Sequence, residues 1–475
     1  MAAPAVESGD RIYAKARFAW IKRAPSGGNG WIGYLTLGGS VRLHEGSREK
    51  AKIVGPGCNA WYRVEPMGYV CEGAEATLDP NDPAFVTQKL HAGREGDPFP
   101  YEYGESIGTP RYVALPSAEK QRDREWDLET HLAKLGALRE ARAKNDLGSI
   151  VEPYKSLDLS PAGVPFPELP DPGALAREAR DRVIQGSTIA WSKAYDDANG
   201  RTWLYTSDHA LVPKDRVKPY PKRTFSGVAL GGDTRLPIAF FRKQDRPQYK
   251  RDGAAFVEGE GRFARLSHVM LTGKSETVDK KRYLETRDVF PARQGIAEQG
   301  VWVLDSDAAV AEQRSEIPFR KDEQVNGKKT WVDVSVFGGT FVAYEGETPV
   351  FATLMSPGRG GTPFPGRDPI STASTPTGTF RVDGKFRWAS MVSSSDANIV
   401  HAEVQYVQNF HGAHALHGAY WHDQWGELKS GGCVNLSPID SKWAFEWSEP
   451  KLPKDWQGAR SVPELGAATR VVVRQ

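Results

Sequence analysis

The chain has 475 residues, with 62 Lys and Arg against 60 Asp and Glu, a formal net charge of +2. Charges that nearly cancel argue against nucleic acid or an anionic membrane surface as partner, and no apolar run reaches the ~18 residues of a membrane span. The length points to about three domains, and 48 glycines, 33 prolines, 14 Trp and 16 Tyr point to turn-rich β modules.

The opening residues, Met1-Ala-Ala-Pro-Ala-Val-Glu7, lack the basic and apolar regions of a secretion signal. Taken alone that reads as cytoplasmic; the alternative is a signal already removed. The cysteines bear on the choice. Cys58 and Cys71 sit in one Trp/Tyr-rich β segment, and a disulfide between them implies folding in an oxidising compartment. Two buried free thiols are the other reading. Cys433 stands apart.

Residues 9–85 are expected to form a small barrel, with β-prone runs at 11–20, 31–37, 40–43, 60–64 and 68–71 between Gly, Pro, Ser and Asn turns. The pieces Gly30-Trp31-Ile32-Gly33-Tyr34-Leu35 and Trp61-Tyr62-Arg63-Val64 resemble bacterial SH3-like modules. A second such module is expected over 98–222, its first strand at 109–116 and its continuation at 186–191, 203–206 and 210–213. The intervening 117–181 reads as an insertion. Trp126, Leu128, Leu132, Leu135 and Leu138 recur at mostly helical spacing, charges of both signs over 119–144 suggest a solvated helix, and a Pro-rich connector follows. Residues 225–320 supply a third β module, with strands at 236–241, 265–271, 283–286 and 300–304. From Trp331 onward, successive antiparallel strands are expected at 331–336, 340–345 and 348–356, then 378–382.

The residues that carry chemistry come last. Ala415-Leu416-His417-Gly418 is followed by Ser430-Gly431-Gly432-Cys433-Val434-Asn435. A thiol is mostly protonated at neutral pH, so a catalytic cysteine needs an imidazole to take its proton. His417 is the candidate, because the interval lets one strand end and the chain return beside it. Glycines before the thiol permit a sharp turn that turns backbone N–H groups toward a substrate carbonyl. His411, His414, His417 and His422 with Cys433 raise the question of zinc. However, an extended 411–417 would point His414 away from His411 and His417, so no metal site is expected.

This pattern resembles the catalytic domain of YkuD-type L,D-transpeptidases: His-Gly, a spacer, then Ser/Thr-His-Gly-Cys, an aliphatic residue and Asn or Arg. The resemblance covers 329–475, and Thr375-Pro376-Thr377-Gly378-Thr379-Phe380 matches its entry segment. It implies a mainly β fold: SH3-like small barrels with a helical insertion, then a YkuD-type β-sandwich-like catalytic domain. It also implies Cys433 as nucleophile, His417 as base and the Gly418 carbonyl as the group that orients it. The N–H groups of Gly432 and Cys433 would hold the oxyanion. Tyr406, Trp421, His422, Ser430 and Asn435 are expected substrate-binding residues. The implied partner is a peptidoglycan stem peptide, with carbapenem-type inhibitors also expected, no cofactor, and a periplasmic or cell-envelope location. Gly431 departs from the family, which usually has His there, so activity is expected to be retuned or reduced. Water as acceptor would make an L,D-carboxypeptidase, and a wall-binding protein of weakened activity is the remaining alternative.

The disulfide expectation is checked by alkylation of protein from its native host. One thiol should react before reduction and all three of the chain's cysteines after it; free Cys58 and Cys71 would undo the oxidising-compartment inference.

Overall fold

Gly, Pro and Asn punctuate the chain too often for long helices and at intervals suited to short strands. The computed structural model describes residues 9–28, 30–168, 182–292, 297–323, 327–393 and 399–475. Strands dominate among them, the longest helix is Leu128–Ala143, and no helix is long and apolar enough to cross a membrane. The chain groups into two compact units: Met1–Lys222 with Phe386–Val404 and Leu452–Arg460, and Arg223–Lys385 with Gln405–Lys451 and Ser461–Gln475.

In the first unit, Arg11–Ala14 lies between Ser40–Arg42 and Ala76–Thr77. Phe18–Lys22 lies between Trp31–Thr36 and Tyr69–Glu72, with Ala60–Arg63 and Lys52–Ile53 beyond. Ile12, Ala14, Ala19 and Ile21 are buried at the period of two that strands impose. Cys71 pairs with Trp61 across its ladder, and a disulfide joins it to Cys58.

A five-stranded sheet follows, ordered Leu211–Pro213, Thr202–Thr206, Thr188–Asp196, Glu102–Ser106 and Val217–Pro219. Its first strand in the chain is therefore Glu102–Ser106. The expected strand at 109–116 makes only isolated bridges, at Pro110 and Tyr112. Pro110 and Pro116 have no N–H to give a ladder. The insertion holds two helices, Ala118–Arg124 and Leu128–Ala143, and its final residues, 169–181, lie outside those described. The break at 125–127 splits the expected apolar stripe. Leu135 and Leu138 are buried, whereas Trp126, inside the break, is 84% exposed.

The same break corrects the picture of a fully solvated charged helix. Glu125, 1% exposed, binds Arg201 through bonds of 2.8 and 2.9 Å and Arg216 at 2.7 Å. Asp215 takes Arg201 at 2.9 and 3.0 Å and His131 at 3.0 Å, and Asp127 takes Arg216 at 2.7 Å. Two guanidiniums thus tie the helices to the sheet.

The second unit is built on a six-stranded sheet. Its order is Val228–Ala229, Thr348–Leu354, Thr340–Glu345, Thr330–Ser335, Arg470–Arg474 and Gly378–Arg381. Arg470–Arg474 runs parallel to Thr330–Ser335, with Val332 opposite Val471 and Val334 opposite Val473. A seven-stranded sheet from 238–311 presents Ile238 and Phe240 to Trp331, Tyr344 and Trp425 in one shared core. Residues 225–320, read from sequence as a module of their own, therefore pack within this unit. On the other face of the six-stranded sheet, Phe341, Phe351 and Met355 meet Leu416, Val434, Leu436 and Ala444. Ala444 belongs to the helix Pro438–Trp447, which opens with Ser437 accepting the Asp440 N–H at 3.0 Å and proline at its first position.

The Glu125 cluster yields a stability prediction. Glu125→Ala strands two buried guanidiniums and should cost about 3–5 kcal/mol in urea unfolding. A change within the scatter of surface substitutions would mean that the cluster does not hold the helices.

Candidate active site

Two neighbouring strands carry the candidate residues. Residues 411–417, expected to be one extended run, instead turn at Gly412, whose φ is +56°, so that His411 pairs with His414 across the turn. The strand His414–Gly418 then leaves that hairpin. It pairs in parallel with Val434–Leu436, Leu416 opposite Val434 and His417 opposite Asn435. Cys433 stands just before the second strand, so the chain between them returns beside His417.

The cysteine loop is fastened at several points. Ser430 Oγ accepts the Gly432 N–H at 3.0 Å and donates to the Cys433 carbonyl at 2.5 Å. The Lys429 and Ser430 N–H groups both donate to the Pro357 carbonyl at 2.9 Å, and Asn435 and Ser356 exchange backbone bonds of 2.9 and 2.8 Å. Gly358 N–H donates to Thr375 Oγ1 at 2.8 Å, which ties that segment to the expected entry region. Gly432 has φ +126°, and a Cβ there would stand 2.9 Å from His414 Nε2 and from the Ser374 carbonyl. No larger residue fits that backbone and that space.

His417 sits in a directed chain of hydrogen bonds. A backbone N–H can only donate, so the Gln424 N–H, 3.2 Å from His422 Nδ1, makes that nitrogen an acceptor. His422 therefore carries its proton on Nε2 and donates to Asn435 Oδ1 at 3.2 Å. The other end of that amide, Asn435 Nδ2, donates to His417 Nε2 at 3.1 Å. His417 Nδ1–H then donates to the Gly418 carbonyl at 2.9 Å. One backbone amide sets the tautomer of both imidazoles.

Burial governs the titration of the site. It pushes the Cys433 thiol up to about 11, against a smaller opposing effect of a backbone hydrogen bond from Ala415. It pulls His422 down to about 4, and it lowers His414 as well. Cys433 Sγ lies 3.8 Å from the Ala413 carbonyl. The thiol at rest is therefore neutral.

The residues expected to line a substrate groove separate into three groups. Trp421 is half-buried, its ring 6.0 Å from that of His417. Asn435 and His422 are 2% and 7% exposed, and the bonds above engage their polar ends with His417 and each other rather than with a groove. Ser430 is buried under the cysteine loop it braces, and Tyr406 is buried against Phe445 at 5.4 Å. Gly431 is exposed. Among the described residues no group of three or more His, Cys, Asp or Glu is placed to hold a metal ion.

Several contributors had no signal in the sequence. Arg242 Nη1 donates to the Gly426 carbonyl at 2.9 Å and Arg265 Nη2 to the Asp423 carbonyl at 2.6 Å. Both steady the loop after His417 from strands far upstream. Isolated arginines in a charge-balanced chain do not announce such contacts.

The hydrogen-bond chain predicts a pH dependence. The folded state holds His422 near 4 and the unfolded chain near its ordinary 6.5, so the unfolded state binds the extra proton between those values. This contribution to stability should be complete above about pH 6.5 and be lost as pH falls toward 4. Urea unfolding of wild type and His422→Gln across that range tests it; parallel curves would refute the assignment.

The model of the YkuD L,D-transpeptidase catalytic domain matches residues 329–473. Among solved structures, the chain is similar to the L,D-transpeptidase (Yku) from Stackebrandtia nassauensis, at 22% identity, TM-score 0.21, covering 33% of this chain and 61% of that one. It is also similar to the L,D-transpeptidase from Xylanimonas cellulosilytica, at 22% identity, TM-score 0.20, covering 34% and 65%. A third is L,D-transpeptidase 3 from Mycobacterium tuberculosis in complex with a faropenem-derived adduct, at 14% identity, TM-score 0.24, covering 43% and 97%. The match spans less than two thirds of the first two structures' own chains. No curated protein matches the sequence. Residues 329–473 are a YkuD-type L,D-transpeptidase catalytic domain.

Proposed function

We propose that the protein is a peptidoglycan L,D-transpeptidase that works through Cys433 and His417. The observation that carries this reading is the tautomer of His417 within a YkuD-type domain. Its Nδ1–H is committed to the Gly418 carbonyl, which leaves Nε2 as the basic nitrogen, on the strand next to the cysteine loop. That is what a general base for a thiol requires.

The reaction proceeds in two transfers. A tetrapeptide stem places the carbonyl before its terminal D-alanine at Cys433. Sγ attacks that carbonyl as its proton passes to His417 Nε2, and Asn435 Nδ2 gives up its bond to make room. The Cys433 N–H receives the oxyanion first. Gly432 N–H, bonded to Ser430 Oγ at rest, joins when Ser430 releases it. The tetrahedral adduct collapses to a thioester, and the departing D-alanine amine takes the proton from His417. An acceptor amine then attacks the thioester, the new amide forms, and the proton returns by way of His417 to Sγ. A thiol held neutral by burial favours attack only once substrate displaces water and closes on the site.

The wall is the site of action under this reading, and the Cys58–Cys71 disulfide supports an exported protein. The β-lactam ring of a carbapenem presents the same kind of electrophile and opens on attack without losing atoms. Intact-mass measurement should therefore show one whole carbapenem added to wild type and none to Cys433→Ala. His417→Ala should slow acylation by roughly 10²–10⁴-fold. Failure of wild type to acylate would leave the wall-binding alternative. With adduct formation established, a tetrapeptide consumed without a cross-linked product in the presence of acceptor stems would identify the carboxypeptidase instead.

A further inference from the structure

The first unit encloses a cavity of about 540 Å³ and, sharing its wall, a smaller one of about 150 Å³. Arg17, Leu37, Ser207, His209, Ser390 and Glu403 line both. None of them belongs to the unit that carries Cys433.

Two acceptors on this wall lack the donors their positions call for. The Glu403 carboxylate takes only neutral hydroxyls, Ser207 Oγ at 3.2 Å and Ser390 Oγ at 3.4 Å. Among the described residues it has no salt-bridge partner, and Arg17 acts on it only at a distance. The other cavity arginine whose charge could serve, Arg111, is paired with Asp208. Gln88, on the wall of the smaller cavity, is 3% exposed. Its Nε2 donates to the Lys15 carbonyl at 3.0 Å, but its Oε1 has no partner. A buried acceptor left without a donor costs about 1–3 kcal/mol.

The backbone holds Glu403 in place at further cost. Its φ is +44°, a left-handed conformation unusual for a side chain of this kind. The Glu403 N–H donates to Ser390 Oγ at 3.3 Å, and Tyr103 Oη donates to its carbonyl at 3.0 Å. Burial pushes the carboxyl above its usual range. Tyr34, Tyr101 and Trp388 supply aromatic wall to the smaller cavity. A carboxylate, an orphan amide oxygen and aromatic rings together favour a cation with N–H donors. Arg17, at the exposed end, suits an anion on the same molecule.

We propose that this cavity binds a small zwitterion, an α-amino acid or short peptide, whose ammonium seats between Glu403 and Gln88 and whose carboxylate faces Arg17. This site lies apart from the acyl-transfer chemistry and does not depend on it.

The test uses the full chain and calorimetry with lysine and lysyl-alanine, each beside its fully N-acetylated form. The free amines should bind saturably, and acetylation should weaken binding at least tenfold. Glu403→Gln should weaken the free amines by roughly tenfold or more. Arg17→Ala should affect the carboxylate forms and spare the C-terminal amides. Glu403→Gln should still be acylated at Cys433 by a carbapenem, which separates loss of this site from loss of the fold. Equal binding of acetylated and free probes, or no saturable binding of the free amines at about 10 mM, would overturn the proposal. The acetylation comparison on wild type decides the matter even if a variant does not fold.

Discussion

Gln424 has one backbone hydrogen to give, and it gives it to His422 Nδ1. Every protonation choice that follows in the catalytic domain depends on that bond. It makes His422 a donor through Nε2, turns the Asn435 amide so that its nitrogen faces His417, and sends the His417 proton to the Gly418 carbonyl. Each link has only one consistent direction, because a backbone N–H cannot accept. The basic nitrogen is thereby chosen before any substrate arrives. It is also covered, since Asn435 Nδ2 occupies it. A neutral thiol and a capped imidazole describe a resting site that ionises when a substrate rearranges it, not a standing thiolate–imidazolium pair.

Such a chain needs a rigid frame, and the second unit supplies one from both sides. Below, the six-stranded sheet and the helix Pro438–Trp447 enclose Leu416, Val434 and Leu436, the apolar neighbours of the site residues. Above, Arg242 and Arg265 take up the carbonyls of Gly426 and Asp423 in the loop that carries His422 and Gln424. Charged donors on carbonyls are among the stronger hydrogen bonds. The 238–311 sheet thus bears on the imidazole chain through that loop. It adds no group to the chemistry itself.

What could be read in advance follows from range. The Cys433 loop, His417 and Gly418 lie in short contiguous motifs whose residue types have few other uses. The strands at 330–354 show plain alternation between turn glycines. The His422 and Asn435 roles were not readable, because a partner is chosen by strand register rather than by residue type. Either residue looks equally suited to a groove. The turn at Gly412 was missed because an apolar and histidine pattern at 411–417 fits a strand equally well. Trp126 was misplaced because periodicity takes no account of a helix break, and the break exists to admit Glu125 to two arginines 76 and 91 positions away. The division into units was least visible of all. Residues 386–404 and 452–460 lie within the stretch resembling one domain yet pack with the first unit.

The parallel strand Arg470–Arg474 occupies an interior place in its sheet, between Thr330–Ser335 and Gly378–Arg381. As the chain emerges during synthesis, both neighbours exist well before the strand that joins them, and until then each presents an unpaired edge. Loop closure over such a distance is slow relative to local pairing. The sheet beneath His417 and Cys433 is therefore completed last. A nascent chain carries its thiol for some time without the base and loop geometry that would let it react, so chemical competence is timed to the completion of folding.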